Sequence, residues 1–134
     1  MVTYHLDTNT CIYALKGRYP AIERRIRRLS PERIKIPALV KAELLLGAEK
    51  SQSAKRTREA VEAFLLPFAV VAFGDAAAIA YARIRAELER AGQPIGPNDL
   101  IIAATVLAAG GVLVTHDARE FGRVKALKLQ DWTV

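Results

Sequence analysis

Short apolar runs that favour β structure alternate along the chain with longer segments of helical period, and this alternation restricts the fold more than any other feature. Val2–Leu6 alternates and carries β-favouring residues, which predicts a first strand. Asn9 or Thr10 can cap a short helix that runs through Leu15 and stops at Gly17. The stretch PAIERRIRRL, Pro20 to Leu29, places Pro in the first turn, Ile22, Ile26 and Leu29 on one face, and arginines on the other. Arg33–Pro37 predicts a short strand, and Pro37 then opens a helix through about Glu49. A further helix covers roughly Ala54–Leu66, and Phe68–Phe73 reads as a buried strand. Asp75 is placed to cap a long helix that ends at Ala91, before Gly92. From Pro97 a buried helix runs to the Gly110-Gly111 pair, and Val112–Thr115 predicts a central strand. DAREF reads as a helical turn, and LKL from Leu127 as a last edge strand. Strands separated by helices imply a parallel sheet with helices on both faces. Such sheets hold their sites beyond the carboxyl ends of the strands, so acids at strand ends carry the functional question.

The 134 residues suit one domain spanning residues 1–134, with no repeat, low-complexity tract or Ser/Gly-rich linker to divide it. There is no basic leader, and Asp7 interrupts the first apolar run, which argues against a signal peptide. The longest apolar run, Leu100–Val114, is broken by Gly110-Gly111 and falls short of the roughly 20 residues that span a bilayer. The single Cys11 cannot form an internal disulfide, which fits a reducing cytoplasm. The net charge of +6 favours a polyanionic partner, and nucleic acid is the commonest one.

Five aspartates occur: Asp7, Asp75, Asp99, Asp117 and Asp131. Asp7 ends the first strand with no basic residue among its close sequence neighbours. Glu43 has Leu39, Val40, Leu46 and Gly47 at helical spacing, so it is expected on a buried stripe. A buried carboxylate needs a cation, a proton or a metal, and its bland reading is an ion pair with an arginine. Asp99 in a helix first turn and Asp117 in a capping box with Glu120 each have a structural reading of their own. Asp75 reads as a cap, Asp131 as a surface residue, and Cys11 as a small core residue; His116 could touch substrate, although a surface role is its commoner reading.

Taken together, Asp7, Glu43, Asp99 and Asp117 would repel strongly at one sheet edge. Two unit charges about 4 Å apart cost about 4 kcal/mol at an effective dielectric of about 20. A hard divalent cation resolves the conflict, and all-oxygen ligands select Mg²⁺ or Mn²⁺. Two histidines and one cysteine are too few and too scattered for a typical zinc site. A carboxylate-held Mg²⁺ on a basic protein suggests phosphodiester hydrolysis by an activated water. Arg24, Arg25, Arg27 and Arg28 on one helix and Lys55, Arg56 and Arg58 on another could hold the nucleic-acid backbone, although a solvated face is the commoner reading of each cluster.

The same residues carry a family resemblance. LDTNTCIYALKG at the N-terminus, ALVKAELLLGAEKS from Ala38, IGPNDLIIAA from Ile95 and VTHDAREFGRVKALKLQDW from Val114 resemble PIN-domain ribonucleases, most of all the VapC-type toxins of bacterial toxin–antitoxin pairs. The resemblance spans nearly the whole chain, in order. It implies a three-layer α/β/α sandwich around a mainly parallel sheet, with acidic residues that bind Mg²⁺ or Mn²⁺ in a domain that cuts single-stranded or structured RNA. It maps Asp7, Glu43 and Asp99 onto the invariant acidic positions, and Asp117 onto a fourth that is Asn in many relatives. Asn9 and Thr115 match polar positions that support the site. It further implies a homodimer, a VapB-type antitoxin that blocks the site, and RNA targets, often tRNA, whose cleavage halts translation.

Three other readings compete. A receiver-type signalling domain also holds Mg²⁺ at strand ends, but needs a lysine where the late strand here runs into His116 and Asp117. A phosphatase using DTNT generally wants a second aspartate where Asn9 stands. A non-catalytic RNA-binding subunit would have a degenerate site, against which the full acidic set argues.

Overall fold

The first strand, β1 (Tyr4–Leu6), lies at the centre of a five-stranded sheet in the order β3-β2-β1-β4-β5, and every neighbouring pair is parallel. The computed structural model describes all 134 residues. In chain order the remaining elements are α1 (Thr8–Lys16), α2 (Pro20–Arg28), a 3₁₀ turn at Pro31–Arg33, β2 (Ile34–Pro37), α3 (Ala38–Lys50), α4 (Ala54–Leu65), β3 (Ala69–Val71), α5 (Asp75–Arg90), α6 (Pro97–Ala108), β4 (Val112–Val114), α7 (Ala118–Phe121) and β5 (Lys128–Gln130). Tyr4 pairs with Ile34 on one side and with Val112 on the other, so β1 is hydrogen-bonded along both edges.

The strand order fixes where a crevice must open. From β1 the chain steps outward to β2 and β3, then returns past β1 to β4 and β5. Parallel crossovers are almost always right-handed, so reversing the direction of travel puts α1–α4 on one face and α5–α7 on the other. The reversal lies between β1 and β4, and the helices that follow these two strands diverge to opposite faces. Asp7 stands one residue past the end of β1, and Asp117 three residues past the end of β4.

The core is made where strand side chains meet both helix layers. Leu6, Ile34, Ile36, Leu113 and Val114 are fully buried, as are Cys11, Ile22 and Val40 from the α1–α4 side and Ala103, Ala104 and Val106 from α6. Trp132, after β5, is buried against this cluster, with its ring beside that of Tyr4. Cys11 is the core residue its sequence position suggests.

Three local expectations are corrected. Phe68–Phe73 is not a buried strand: β3 covers only Ala69–Val71 and forms the sheet edge, with Val70 43% and Phe73 41% exposed. An apolar run cannot by itself distinguish a covered strand from an uncovered edge. Asp75 is the first helical residue rather than the cap; Gly74 holds the cap position, and no side-chain capping bond forms there. Neither Asn9 nor Thr10 caps α1, because Asp7 does.

One buried group sits in β1 itself. His5 is 1% exposed, and its Nδ1 has no hydrogen-bond partner. Burial, reinforced by the nearby charge of Lys35, holds its pKa down to about 4 from the ordinary 6.5. The imidazole fits only because position 111 is glycine: a Cβ there would lie 2.3 Å from its Cε1. Gly111→Ala is therefore expected to destabilise the fold by about 1–3 kcal/mol through overpacking, read by denaturant unfolding. The unfolded chain takes up a proton at His5 below about pH 6.5, whereas the folded chain does so only near pH 4. Stability linked to His5 is thus intact above pH 6.5 and is lost as the pH falls toward 4. The Tm difference between the parent and His5→Leu should drift in favour of the variant over that interval.

Candidate active site

Asp7, Glu43, Asp117 and Glu120 are each held in the crevice by a backbone or neutral side-chain donor, and none of the acids there is held by a cation. The Asp7 amide donates to the Val114 carbonyl at 3.0 Å, which ties the end of β1 to β4. Its carboxylate accepts from the Thr10 amide at 2.8 Å and so caps α1. Asp7 is therefore both cap and cleft residue, 5% exposed. Burial raises its pKa; the hydroxyls of Thr10 and Thr115 work against that shift, and the Asp117 charge adds to it.

Glu43 lies elsewhere than the helical pattern suggests. The buried stripe of α3 is Val40, Leu44 and Ala48, while Leu46 and Gly47 face solvent. Glu43 sits on the rim of that stripe, half-buried, and reaches across the cleft. The Thr8 hydroxyl donates to its Oε1 at 2.7 Å, and the Asn98 amide to its Oε2 at 3.4 Å. Thus α1 and α6 hold one oxygen each. Thr8, the first residue of α1, orients this carboxylate, and Asn98 is free to do so from the first turn of α6 because Gly96 holds the cap position.

Asp99 stands in the first turn of α6, half-buried, with a pKa pushed up to about 6. Burial is the largest cause; the charges of Glu120, Asp117, Glu43 and Asp7 follow in that order. The Asp117 carboxylate caps α7 by accepting from the Glu120 amide at 3.2 Å, while its own amide donates to the buried Thr115 hydroxyl at 2.9 Å. The capping box is only half formed, because the Glu120 carboxylate turns away and accepts from the Gly96 amide instead. Glu120 thereby joins the site as a fifth acid. Carboxylate oxygens of Asp99, Asp117 and Glu120 lie within 4.8 Å of one another. In the sequence Glu120 is explained away by its capping spacing, and only the approach of α7 to α6 reveals where its carboxylate goes.

Asp7, Asn9, Glu43, Asp99 and Asp117 line a single cleft of about 140 Å³, together with Thr8, Ile102 and Phe121. Asn9 is exposed at its edge, and Thr115 lies behind it. No lysine or arginine pairs with any of the five acids; the ion pairs of the molecule lie elsewhere. The basic clusters Arg24, Arg25, Arg27, Arg28 and Lys55, Arg56, Arg58 are exposed. A donor set made only of carboxylates and small polar groups, with charges that raise one another's pKa, fits a hard divalent cation and does not fit zinc.

Known proteins share both sequence and shape. The PIN domain family matches residues 4–127. The tRNA(fMet)-specific endonuclease VapC of Salmonella typhimurium is 39% identical over 132 residues, which cover 98% of this chain and 99% of that protein. Ribonuclease VapC1 of Haemophilus influenzae strain R2866 is 37% identical, covering 97% and 98%. The crystal structure of DNA-bound VapBC from Salmonella typhimurium superposes with a TM-score of 0.93 at 39% identity, covering 98% of this chain and 99% of that one.

Burial of Asp99, and behind it repulsion by the neighbouring acids, carries a cost in stability. Because the folded-state pKa of Asp99 is about 6, above its ordinary 3.8, its charge disfavours the fold above pH 6, and the penalty is relieved as protons bind below that. In EDTA at pH 7.5, Asp99→Asn is expected to raise Tm, and the gain should shrink as the pH falls through 6. A variant that melts lower than its parent at both pH values would contradict the assignment of repulsion at this position.

Proposed function

The chain belongs to the PIN domain family, and from that premise we propose that it is a Mg²⁺-dependent endoribonuclease toxin, held in check by an antitoxin, which cuts RNA by attack of an activated water. The observation that supports this most directly is the convergence of Asp7, Glu43, Asp99 and Asp117 on one cleft that no basic residue neutralises.

Asp7 and Asp99 are the proposed direct ligands, since both are placed by backbone at the crevice between β1 and β4. Asp117 completes the set from the other side, with Glu120 beside it. When bound, Mg²⁺ or Mn²⁺ supplies Lewis acidity toward water and phosphate and offsets the charge of the acids. Glu43 has a different part: with Thr8 and Asn98 holding its two oxygens, it is oriented to accept a proton from the attacking water. Thr115 fixes the backbone of Asp117 and faces Asp7, so it shapes two ligands at once. Asn9, exposed at the rim, is placed to contact the RNA.

The substrate we propose is tRNA, because relatives that match nearly end to end are named tRNA(fMet)-specific endonucleases. The partner we propose is a VapB-type antitoxin, since the similar solved structures are VapBC assemblies. Residues 1–134 would act as one domain, as a homodimer and in the cytoplasm; no helix is long and apolar enough to cross a membrane. The strand order 3-2-1-4-5 counts against the receiver reading, whose sheets run 2-1-3-4-5.

Purified protein is expected to cleave tRNA in Mg²⁺ or Mn²⁺ and to stop when EDTA is added. Asp7→Asn and Asp99→Asn should each lower the cleavage rate at least about 100-fold, the scale of a lost metal-held charge, while keeping the parent circular dichroism. A folded Asp7→Asn protein with undiminished cleavage would rule out the proposed ligand set. Sequencing the cut RNA ends after induction tests the substrate.

A further inference from the structure

An aromatic ledge lies beside the acidic cleft. Tyr13 is four residues after the cleft-lining Asn9 on α1, so the two share a helix face. Its ring meets that of Tyr19 edge to face, with centroids 4.9 Å apart. Tyr19 in turn lies 6.2 Å from the ring of His116, tilted by 39°. His116 precedes Asp117, which returns the row of rings to the cleft. The three rings thus link one cleft wall to another.

The ledge is held in place yet open. Tyr13 and Tyr19 are half-buried and packed against the core, and His116 is exposed. The imidazole orientation is set by Asp131, whose Oδ2 lies 2.9 Å from its Nδ1. Asp131 is itself held by the Thr133 amide at 2.9 Å and the Thr133 hydroxyl at 2.7 Å. Positive charge adjoins the ledge on the side of Tyr13. Arg18 lies over Tyr13 at 5.6 Å, and Tyr19 is the cap from which α2 leads away. On α2, Arg24 is exposed with no carboxylate partner, the Arg25 guanidinium lies over the Trp132 ring at 5.8 Å, and Arg28 stands at the end of the helix away from Tyr19. Aromatic rings with exposed arginines on the adjoining chain are what a single-stranded nucleic acid needs: stacking for a base and cations for the phosphates that lead away from it.

We propose that Tyr13, Tyr19 and His116 form a stacking subsite for an unpaired RNA base next to the scissile phosphate, with Arg18 and the α2 arginines holding the flanking backbone. The subsite rests on the RNA-cleaving reading above, and it sets which nucleotides can lie extended across the cleft.

The test is run on the full chain in EDTA, so that binding is measured without cleavage. A single-stranded RNA oligonucleotide carrying one 5-iodouridine is irradiated in the complex, and crosslinked residues are mapped by mass spectrometry. Crosslinks at Tyr13, Tyr19 or His116 are expected; their absence, or crosslinks confined to other residues, would overturn the proposal. With the same RNA carrying a fluorophore, Tyr19→Phe should bind like the parent, and Tyr19→Leu should bind about fivefold weaker or worse. A folded Tyr19→Leu protein that binds like the parent would also overturn it. If that variant does not fold, His116→Leu takes its place with the same expectation, because the His116 ring is exposed. Failure of the nuclease reading shows instead as no EDTA-sensitive cleavage by the parent, which these binding measurements do not depend on.

Discussion

Mutual repulsion among carboxylates at the carboxyl edge of the sheet is the constraint around which this molecule is arranged. Groups that repel must be held by something else, and here the backbone does much of that work. Asp7 is held by the α1 amide of Thr10, Asp117 by the amide of Glu120, and Glu120 by the amide of Gly96. Helix starts are well suited to this, because their free amides and dipole favour negative charge without neutralising it. A lysine or arginine would hold an acid as well, but would also cancel the charge that a cation needs. The capping roles of Asp7 and Asp117 are therefore not an alternative to a role in the cleft. They are how each acid is kept there.

That double use explains what could be read from the residues alone. The alternation of strand and helix led to a parallel sheet, and the sheet in turn to a crevice at strand ends, where Asp7, Asp99 and Asp117 do lie. The motifs in which these acids sit made the family visible before any coordinate. A capping role and a cleft role do not exclude one another, since Asp7 and Asp117 fill both.

The features that stayed hidden depend on contacts between elements far apart in the chain. Glu43 looked buried because α3 is apolar on more than one side; which side faces the core is decided by how α3 packs on α4, α1 and the sheet. Nothing local to Thr8 marks it for the site; its part depends on α3 bringing Glu43 to its hydroxyl. Glu120 fits a capping pattern so well that local reasoning assigns its carboxylate to its own helix, whereas the free amide of Gly96 lies within reach and takes it. The edge position of β3 follows from strand order, which no local period encodes.

The charge of the whole molecule and the charge of the cleft have opposite signs, and the contrast has a consequence for how a polyanion is received. The chain carries a net +6 even with five carboxylates gathered at one edge, so the remaining surface is more basic than the total suggests. That surface draws a phosphate backbone in at long range, where the two signs are not resolved. Close to the cleft the acids repel the same phosphates, and only a bound cation reverses the local field. With the proposed ion in place a phosphate would gain a favourable position over the cleft, and ion and substrate would then be cooperative ligands by the logic of linkage. A base resting on uncharged rings beside the cleft is free of this conflict. Stacking on the proposed Tyr13 and Tyr19 subsite would depend little on the local field, so it would keep a strand at the edge of a site that otherwise pushes it away.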